Sequence, residues 1–220
     1  MGIAIVTGAS SGMGREFALQ LHKEERFDEL WVIARRETAL ESLRSQVPCP
    51  LRIIALDLTK KESLDTYRDL LAREKPEVAV LVNCAGFGKF GRYDQIPLQD
   101  CMDMIDLNCK ALVAMTQLTL PYMKGGSKIV QLDSLSAFQP VPYINVYGST
   151  KAFVLSYSRA LNQELERGFH SHPPAERFHT VDLVTGGIRN AVRIEAAGTS
   201  GDCKGCCSHK VYLFHIYCIT

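Results

Sequence analysis

Tyr147 and Lys151 stand four residues apart in Tyr-Gly-Ser-Thr-Lys, and Ser134 precedes the tyrosine by thirteen positions. On a helix that spacing stacks a phenol and an ammonium on one face. An unperturbed phenol titrates near ~10 and moves protons sluggishly at neutral pH. A neighbouring ammonium favours the phenolate and draws that value toward the working pH. The Ser134 hydroxyl would then hold a substrate oxygen beside the phenol. The chemistry is proton transfer on a carbonyl or alcohol oxygen. Alone, Tyr-x-x-x-Lys is a weak signal, because many helices carry it by chance.

The start of the chain strengthens it. Ile3 to Val6 is an apolar run without alternation, the mark of a strand buried on both faces of a parallel sheet. It leads into Thr7-Gly8-Ala9-Ser10-Ser11-Gly12-Met13-Gly14, then into a helical pattern through Phe17, Ala18, Leu21 and His22. Strand, glycine-rich turn and helix form the setting of a dinucleotide-phosphate site. Glycines let the backbone turn tightly and approach a pyrophosphate, while the helix start offers unpaired N–H groups and a positive dipole end. Gly8, Ser10, Ser11, Gly12, Met13 and Gly14 are therefore candidate cofactor contacts.

Beyond this unit, apolar runs alternate with amphipathic stretches, the rhythm of an α/β doubly wound parallel sheet (a Rossmann fold) in one domain. Strands are expected near 2–7, 30–34, 52–56, 78–82 and 128–132, and helices near 13–25, 37–46, 60–74, 98–123 and 146–167. Thr59 with Glu62 three residues on reads as a capping box. Pro76 should close the third helix, and Gly125-Gly126 the long fourth. The last two helices carry apolar residues on more than one face, among them Met104, Ile105, Leu107, Leu112 and Met115, then Phe153, Val154, Leu155 and Tyr157. One stripe suffices to cover a sheet. The extra face predicts subunit pairing, with ordinary core packing as the alternative.

Taken together, these motifs resemble the short-chain dehydrogenases/reductases, in the branch with T-G-x-x-x-G-x-G and Y-x-x-x-K. Asn83-Cys84-Ala85-Gly86, Asp57 in Leu56-Asp57-Leu58, and Asn108 on the long helix add to the likeness, which covers residues 2 to about 167. The resemblance implies that Tyr147 is the acid/base and that Lys151 lowers its pKa and binds the nicotinamide ribose. Ser134 would orient the substrate oxygen, with Ser136 as a rival in Asp133-Ser134-Leu135-Ser136, and Asn108 would hold a water linking Lys151 to solvent. Asp57 would accept a hydrogen bond from the adenine amino group, with Leu58 packing nearby. Asn83 would tie the central strands, and Ala85 and Gly86 would admit the adenine ribose. The family's dimers pair through the two last helices, so a homodimer or homotetramer is implied. Asp133 departs from the small residue the family often carries.

Cofactor choice turns on the end of the second strand. An acid there accepts from a ribose 2′-hydroxyl, whereas arginine pairs with a 2′-phosphate. Here the strand closes Ala34-Arg35-Arg36 and the first acid is Glu37. The expectation is NADP(H), with Arg35 as the main contact and Arg36 beside it. Phe87 to Tyr93 and Phe138 to Tyr143 are expected to line the pocket, and their apolar character suggests a hydrophobic carbonyl substrate.

Length and charge bound the rest. A chain of 220 residues suits one domain, which at such a size buries about 70% of its unfolded surface. With 25 basic and 24 acidic residues there is no basic stripe for nucleic acid. No apolar run approaches the ~20 residues of a membrane span. Met1-Gly2 opens straight into a core strand, and the protein is expected to be cytoplasmic. Cys49, Cys84, Cys101 and Cys109 are scattered like small hydrophobes, while Cys203, Cys206, Cys207 and Cys218 crowd the close.

From about residue 168 the resemblance fades. Val181 to Ile188 imitates the family's sixth strand but has Gly186 where a proline is expected, and no lid sequence follows. Val211 to Tyr217 reads as a weak edge strand. The division is thus 1–167, an NADP-binding Rossmann domain carrying the reactive residues, and 168–220, an aberrant or truncated tail. A metal site on the terminal cysteines with His209 and His215 is the lesser alternative. The function expected is hydride transfer between NADP(H) and a ketone or secondary alcohol. A dinucleotide-binding protein whose activity the tail has cost is the alternative.

Overall fold

The computed structural model describes residues 2–24 and 27–168, together with the backbone of 179–185, 192–193 and 217–218. Six parallel strands form the sheet: β1 (Ile3–Thr7), β2 (Leu30–Ala34), β3 (Leu51–Ala55), β4 (Val78–Asn83), β5 (Met123–Ser134) and β6 (His179–Thr185), in the order β3-β2-β1-β4-β5-β6. The helices are α1 (Gly12–Glu24), α2 (Glu37–Glu41), α3 (Lys61–Glu74), α4 (Leu98–Ile105), α5 (Leu112–Thr119) and α6 (Asn145–Gly168). The winding reverses direction between β1 and β4, which opens a crevice at the carboxyl ends of these strands.

Every residue of β1 and β2 is buried, which explains why their sequence shows no polar alternation. Neighbours along one strand feed opposite faces of the sheet. Ala4 and Val6 pack with Phe17, Ala18, Leu40 and Leu43, whereas Ile3 and Ile5 pack with Tyr67, Leu71 and Met115. Each large aliphatic side chain so buried contributes about 1.5–3 kcal/mol. The expected apolar side chains on the last helices divide: Met104, Leu112, Met115 and Val154 are buried, while Ile105 and Phe153 are exposed.

Two helix ends differ from expectation. Helix α3 begins one residue past Lys60, with no side-chain cap, so Thr59 and Glu62 form no capping box. Thr59 instead donates its N–H and its hydroxyl to Asp57 Oδ1, at 3.1 and 2.8 Å, closing a turn before the helix. The long fourth helix ends not at Gly125-Gly126 but in a 3₁₀ turn at Leu120–Tyr122. Pro121 has no N–H for a further turn and disfavours helical backbone before it, and the glycines lie inside β5. Between α4 and α5 the helix widens into a π-turn over Asp106–Ala111.

Val192–Arg193 pairs antiparallel with Tyr217–Cys218. Of the sequence expected at 181–188 to imitate a sixth strand, residues 181–185 belong to β6 alongside β5, and 186–188 lie outside the described residues. Residues 211–216, together with Cys203, Cys206, Cys207, His209 and His215, lie outside the described residues, and of Cys218 only the backbone is placed. Among the described residues no helix is long and apolar enough to cross a membrane.

The register sets the carboxyl ends of β1 and β4 level, with Thr7 opposite Asn83 and Asn83 opposite Gln131, while β5 runs on past them to Ser134. Asn83 Nδ2 donates to Thr116 Oγ1 at 3.0 Å and to Gln131 Oε1 at 3.1 Å, and Gln131 Nε2 donates to Thr116 Oγ1 at 3.1 Å. All three side chains are buried, so the cluster locks two strands to α5. Asn83→Leu is expected to lower the unfolding free energy by about 2–3 kcal/mol, because it strands the Gln131 carbonyl in the core. A urea titration measures this, and an unchanged midpoint would show the cluster to be idle.

Candidate active site

The turn after β1 is built around close backbone approach. Gly8 has φ +70°, and a Cβ there would lie 2.8 Å from the Ala85 nitrogen; one on Gly14 would lie 2.4 Å from the Gly8 carbonyl oxygen. Both obstacles are backbone, so neither position admits a side chain. Gly12 also has positive φ, at +54°, but an added Cβ would meet nothing within 4 Å. There the backbone is bare and opens outward at the start of α1. The Thr7 hydroxyl accepts from the N–H groups of Cys84 and Ala85, each at 3.1 Å, and so ties the first turn to the end of β4.

Around this turn, Ser10 Oγ accepts from Arg36 Nη2 at 3.4 Å. Arg35, Arg36 and Ser11 are exposed. The positive charge of Arg35 is felt at Asp57. Burial pushes the Asp57 carboxyl up, but the Thr59 hydrogen bonds, with Arg35 and Lys60, hold it below its ordinary value. Leu58 is buried against the core. An open backbone cradle, a helix start and flanking guanidiniums suit a dinucleotide phosphate.

A cavity of about 520 Å³ adjoins the turn, lined by Met13, Cys84, Gly86, Phe87, Gly88, Phe90, Leu132, Asp133, Ser134, Leu135, Ser136, Gln139, Val141, Ile144, Tyr147 and Lys151. Ser134, Tyr147 and Lys151 thus share one wall system with the glycine-rich end. Of the expected aromatic lining only Phe87 and Phe90 belong to it. Tyr93, Phe138 and Tyr143 stay largely exposed, and Phe138 lies under the Arg159 guanidinium, 5.8 Å from its ring centre. Ser136 donates from its hydroxyl to Ser134 Oγ at 3.0 Å, so the two serines form a pair and Ser134 is the member anchored on the strand.

Helix α6 brings Lys151 beneath Tyr147, its Nζ 5.8 Å from the ring centre and 2.7 Å from the Leu132 carbonyl oxygen, to which it donates. Asn108 sits in the π-turn. Its Nδ2 donates to the Phe87 carbonyl oxygen at 2.9 Å and to Thr150 Oγ1 at 3.0 Å, while its Oδ1 accepts from the Phe87 N–H at 3.0 Å. Thr150 Oγ1 donates in turn to the Tyr147 carbonyl oxygen at 2.7 Å. The π-turn places this amide where a regular helix would rotate it elsewhere.

Burial pushes the Tyr147 phenol up, and the Asp133 carboxylate adds to that; the Ser134 hydroxyl pulls the other way. The net direction is upward, opposite to the expected pull of Lys151. Burial also lowers the Lys151 ammonium, against the opposing charge of Asp133. Cys84 itself is pushed up to about 12 by burial. The site therefore holds a neutral phenol over a buried, reluctantly charged amine. Such a phenol can give a proton to an oxygen in the cavity.

Sequence reasoning did not single out Thr7, Thr150, Leu132 or Gly88 as site residues. Thr7 and Thr150 act through hydroxyls that contact backbone, Leu132 offers only its carbonyl, and Gly88 only space. None of these carries a residue-type signal.

A doubly wound sheet with a glycine cradle at its reversal point defines a dinucleotide-binding protein of Rossmann type. The chain belongs to the short-chain dehydrogenase/reductase family: the family model for short chain dehydrogenase matches residues 2–168. It is 30% identical over 167 residues to an uncharacterised oxidoreductase of Staphylococcus epidermidis, covering 75% of this chain and 72% of that protein. It is equally 30% identical over 173 residues to a very-long-chain 3-oxoacyl-CoA reductase of Pyrenophora tritici-repentis, covering 74% of this chain but only 50% of that one. The solved short-chain dehydrogenase of Sphingobium yanoikuyae in complex with NADPH superposes with a TM-score of 0.70 at 27% identity, covering 84% of this chain and 71% of that one.

The Asp133 carboxylate disfavours the phenolate, so its removal should ease ionisation. Asp133→Asn is expected to move the Tyr147 titration to lower pH. The readout is the tyrosinate absorbance step that Tyr147→Phe deletes, and a step that stays in place or rises contradicts the assignment.

Proposed function

We propose that this chain is an NADP(H)-dependent oxidoreductase that interconverts a ketone and a secondary alcohol of apolar character. The observation that carries the reading is that Ser134, Tyr147 and Lys151 line one cavity with Met13 of the glycine-rich turn, far earlier in the chain, and with Gly86 after β4. Bound in the cradle, the cofactor supplies or receives the hydride. The protein's own share is the proton and the geometry. Tyr147 gives its proton to the carbonyl oxygen in reduction and recovers it in oxidation. Ser134 holds that oxygen at the phenol. Lys151, buried beneath, supplies positive charge as the phenolate forms and would hold the nicotinamide ribose. Asn108 fixes the loop and helix between which the substrate enters. Holding the carbonyl against both partners supplies much of the rate gain.

Gly8, Ser10, Ser11, Gly12, Met13 and Gly14 would cradle the phosphates, with Asp57, Leu58, Asn83, Ala85 and Gly86 toward the adenosine half. Arg35 and Arg36 would select the 2′-phosphate. Arg36 takes the larger part in this reading, because its guanidinium is tied to the turn through Ser10. The NADPH complex of a structural relative supports this choice, as the reductase name of the fungal relative supports a carbonyl substrate. Within the reading, residues 1–167 form the working domain of a cytoplasmic homodimer or homotetramer. The exposed side chains of Met102, Ile105 and Phe153 supply its pairing face.

Tyr147→Phe should abolish reduction of acetophenone and of a 3-oxoacyl thioester while leaving NADPH binding intact. Appreciable residual turnover would remove Tyr147 from its role. In fluorescence titrations NADPH should bind more tightly than NADH. Arg36→Ala should cut NADPH affinity about tenfold or more and leave NADH unmoved, as loss of a charged hydrogen bond does. Equal losses for the two cofactors would count against the arginine as selector, and no binding of either would favour an inactive chain.

A further inference from the structure

We infer that Gly88 is a positioning residue whose bare backbone is the stop against which the Tyr147 ring rests. A Cβ at Gly88 would lie 2.7 Å from Tyr147 Cδ2, 3.0 Å from Cγ and 3.1 Å from Cε2. Those three atoms are consecutive along one side of the ring, so the contact is with the side of the ring and not with its hydroxyl end. Carbon atoms attract best at about 3.5–4.0 Å, and contacts this short are repulsive. The requirement is for space: unlike Gly8 and Gly12, Gly88 has no positive φ.

The stop works only if the loop that carries it cannot retreat. Phe87, its immediate neighbour, is held on both sides by the one amide of Asn108, at 3.0 Å through its N–H and 2.9 Å through its carbonyl. The same amide donates to Thr150 at 3.0 Å, and Thr150 donates to the Tyr147 carbonyl at 2.7 Å. Loop and helix are thus referenced to one buried side chain, and the phenol ring is set between them. Asn108 fixes the backbone on either side, and Gly88 fixes the ring. The phenol is left facing the cavity and Ser134.

This inference rests on the reading of Tyr147 as the proton donor, and its test separates the two. In Gly88→Ala the ring must move, because Asn108 holds the loop. A misplacement of about 1 Å costs on the order of a hundredfold in rate. Gly88 is exposed, so the variant has no core to disturb. The expected result is a fall in kcat for NADPH-dependent reduction of acetophenone of about tenfold to a hundredfold. NADPH affinity and melting temperature should be unchanged, and a crystal structure of the variant should show the ring displaced. An unmoved ring overturns the stop, whatever the rate. A displaced ring with undiminished kcat overturns Gly88 as a positioning residue, and Tyr147→Phe measured beside it then shows whether the phenol matters at all. A loss of NADPH affinity equal to the loss of rate also overturns it, since the defect would then lie in the cofactor site.

Discussion

Three of the close approaches that leave no room for a side chain shape the site: Gly8 against Ala85, Gly14 against the Gly8 carbonyl, and Gly88 against the Tyr147 ring. All of them lie at the carboxyl edge of the sheet, where β1 and β4 part. Parallel strands end level there, and the loops that leave them are driven together by the burial of the strands behind. The first two contacts shape a cradle in which N–H groups and a helix dipole face outward. The third brings the loop after β4 down onto α6. A methyl group at any of these points would push apart the surfaces that form the proposed site.

Polar side chains hold those approaches in place. Thr7 ties the first turn to Cys84 and Ala85, Asn83 with Gln131 and Thr116 locks the strands behind, and Asn108 grips Phe87 and Thr150. Each is buried, so leaving a partner unpaired would cost roughly 1–3 kcal/mol. Stability and function are therefore coupled at this edge. The network that keeps the core satisfied also sets where the phenol and the ammonium stand.

The electrostatics follow from the same burial. Taking Lys151 and Tyr147 out of water raises the phenol and lowers the amine, so each is pushed toward its neutral form. Asp133 opposes the shift of the amine and reinforces that of the phenol. A small residue at that position would leave the phenol easier to ionise.

The sequence by itself determined the class of fold. Strand positions 30–34 and 78–82 were legible because a parallel strand buried on two faces must be apolar throughout. Tyr147, Lys151, Ser134 and the glycine-rich turn stood out as candidates because each motif joins particular residue types at short spacing, and the cavity they share is lined from both motifs. What the tertiary structure decided are contacts between segments distant along the chain. Thr59 turns back to Asp57 instead of capping a helix, and Pro121 ends the helix that the later glycines were expected to end. Arg36, not Arg35, meets Ser10. Burial, which no local window contains, reversed the expected direction of the Tyr147 shift. Gly88 looked like one more loop glycine, because a requirement for empty space becomes visible only when the ring that fills the space next to it is in place.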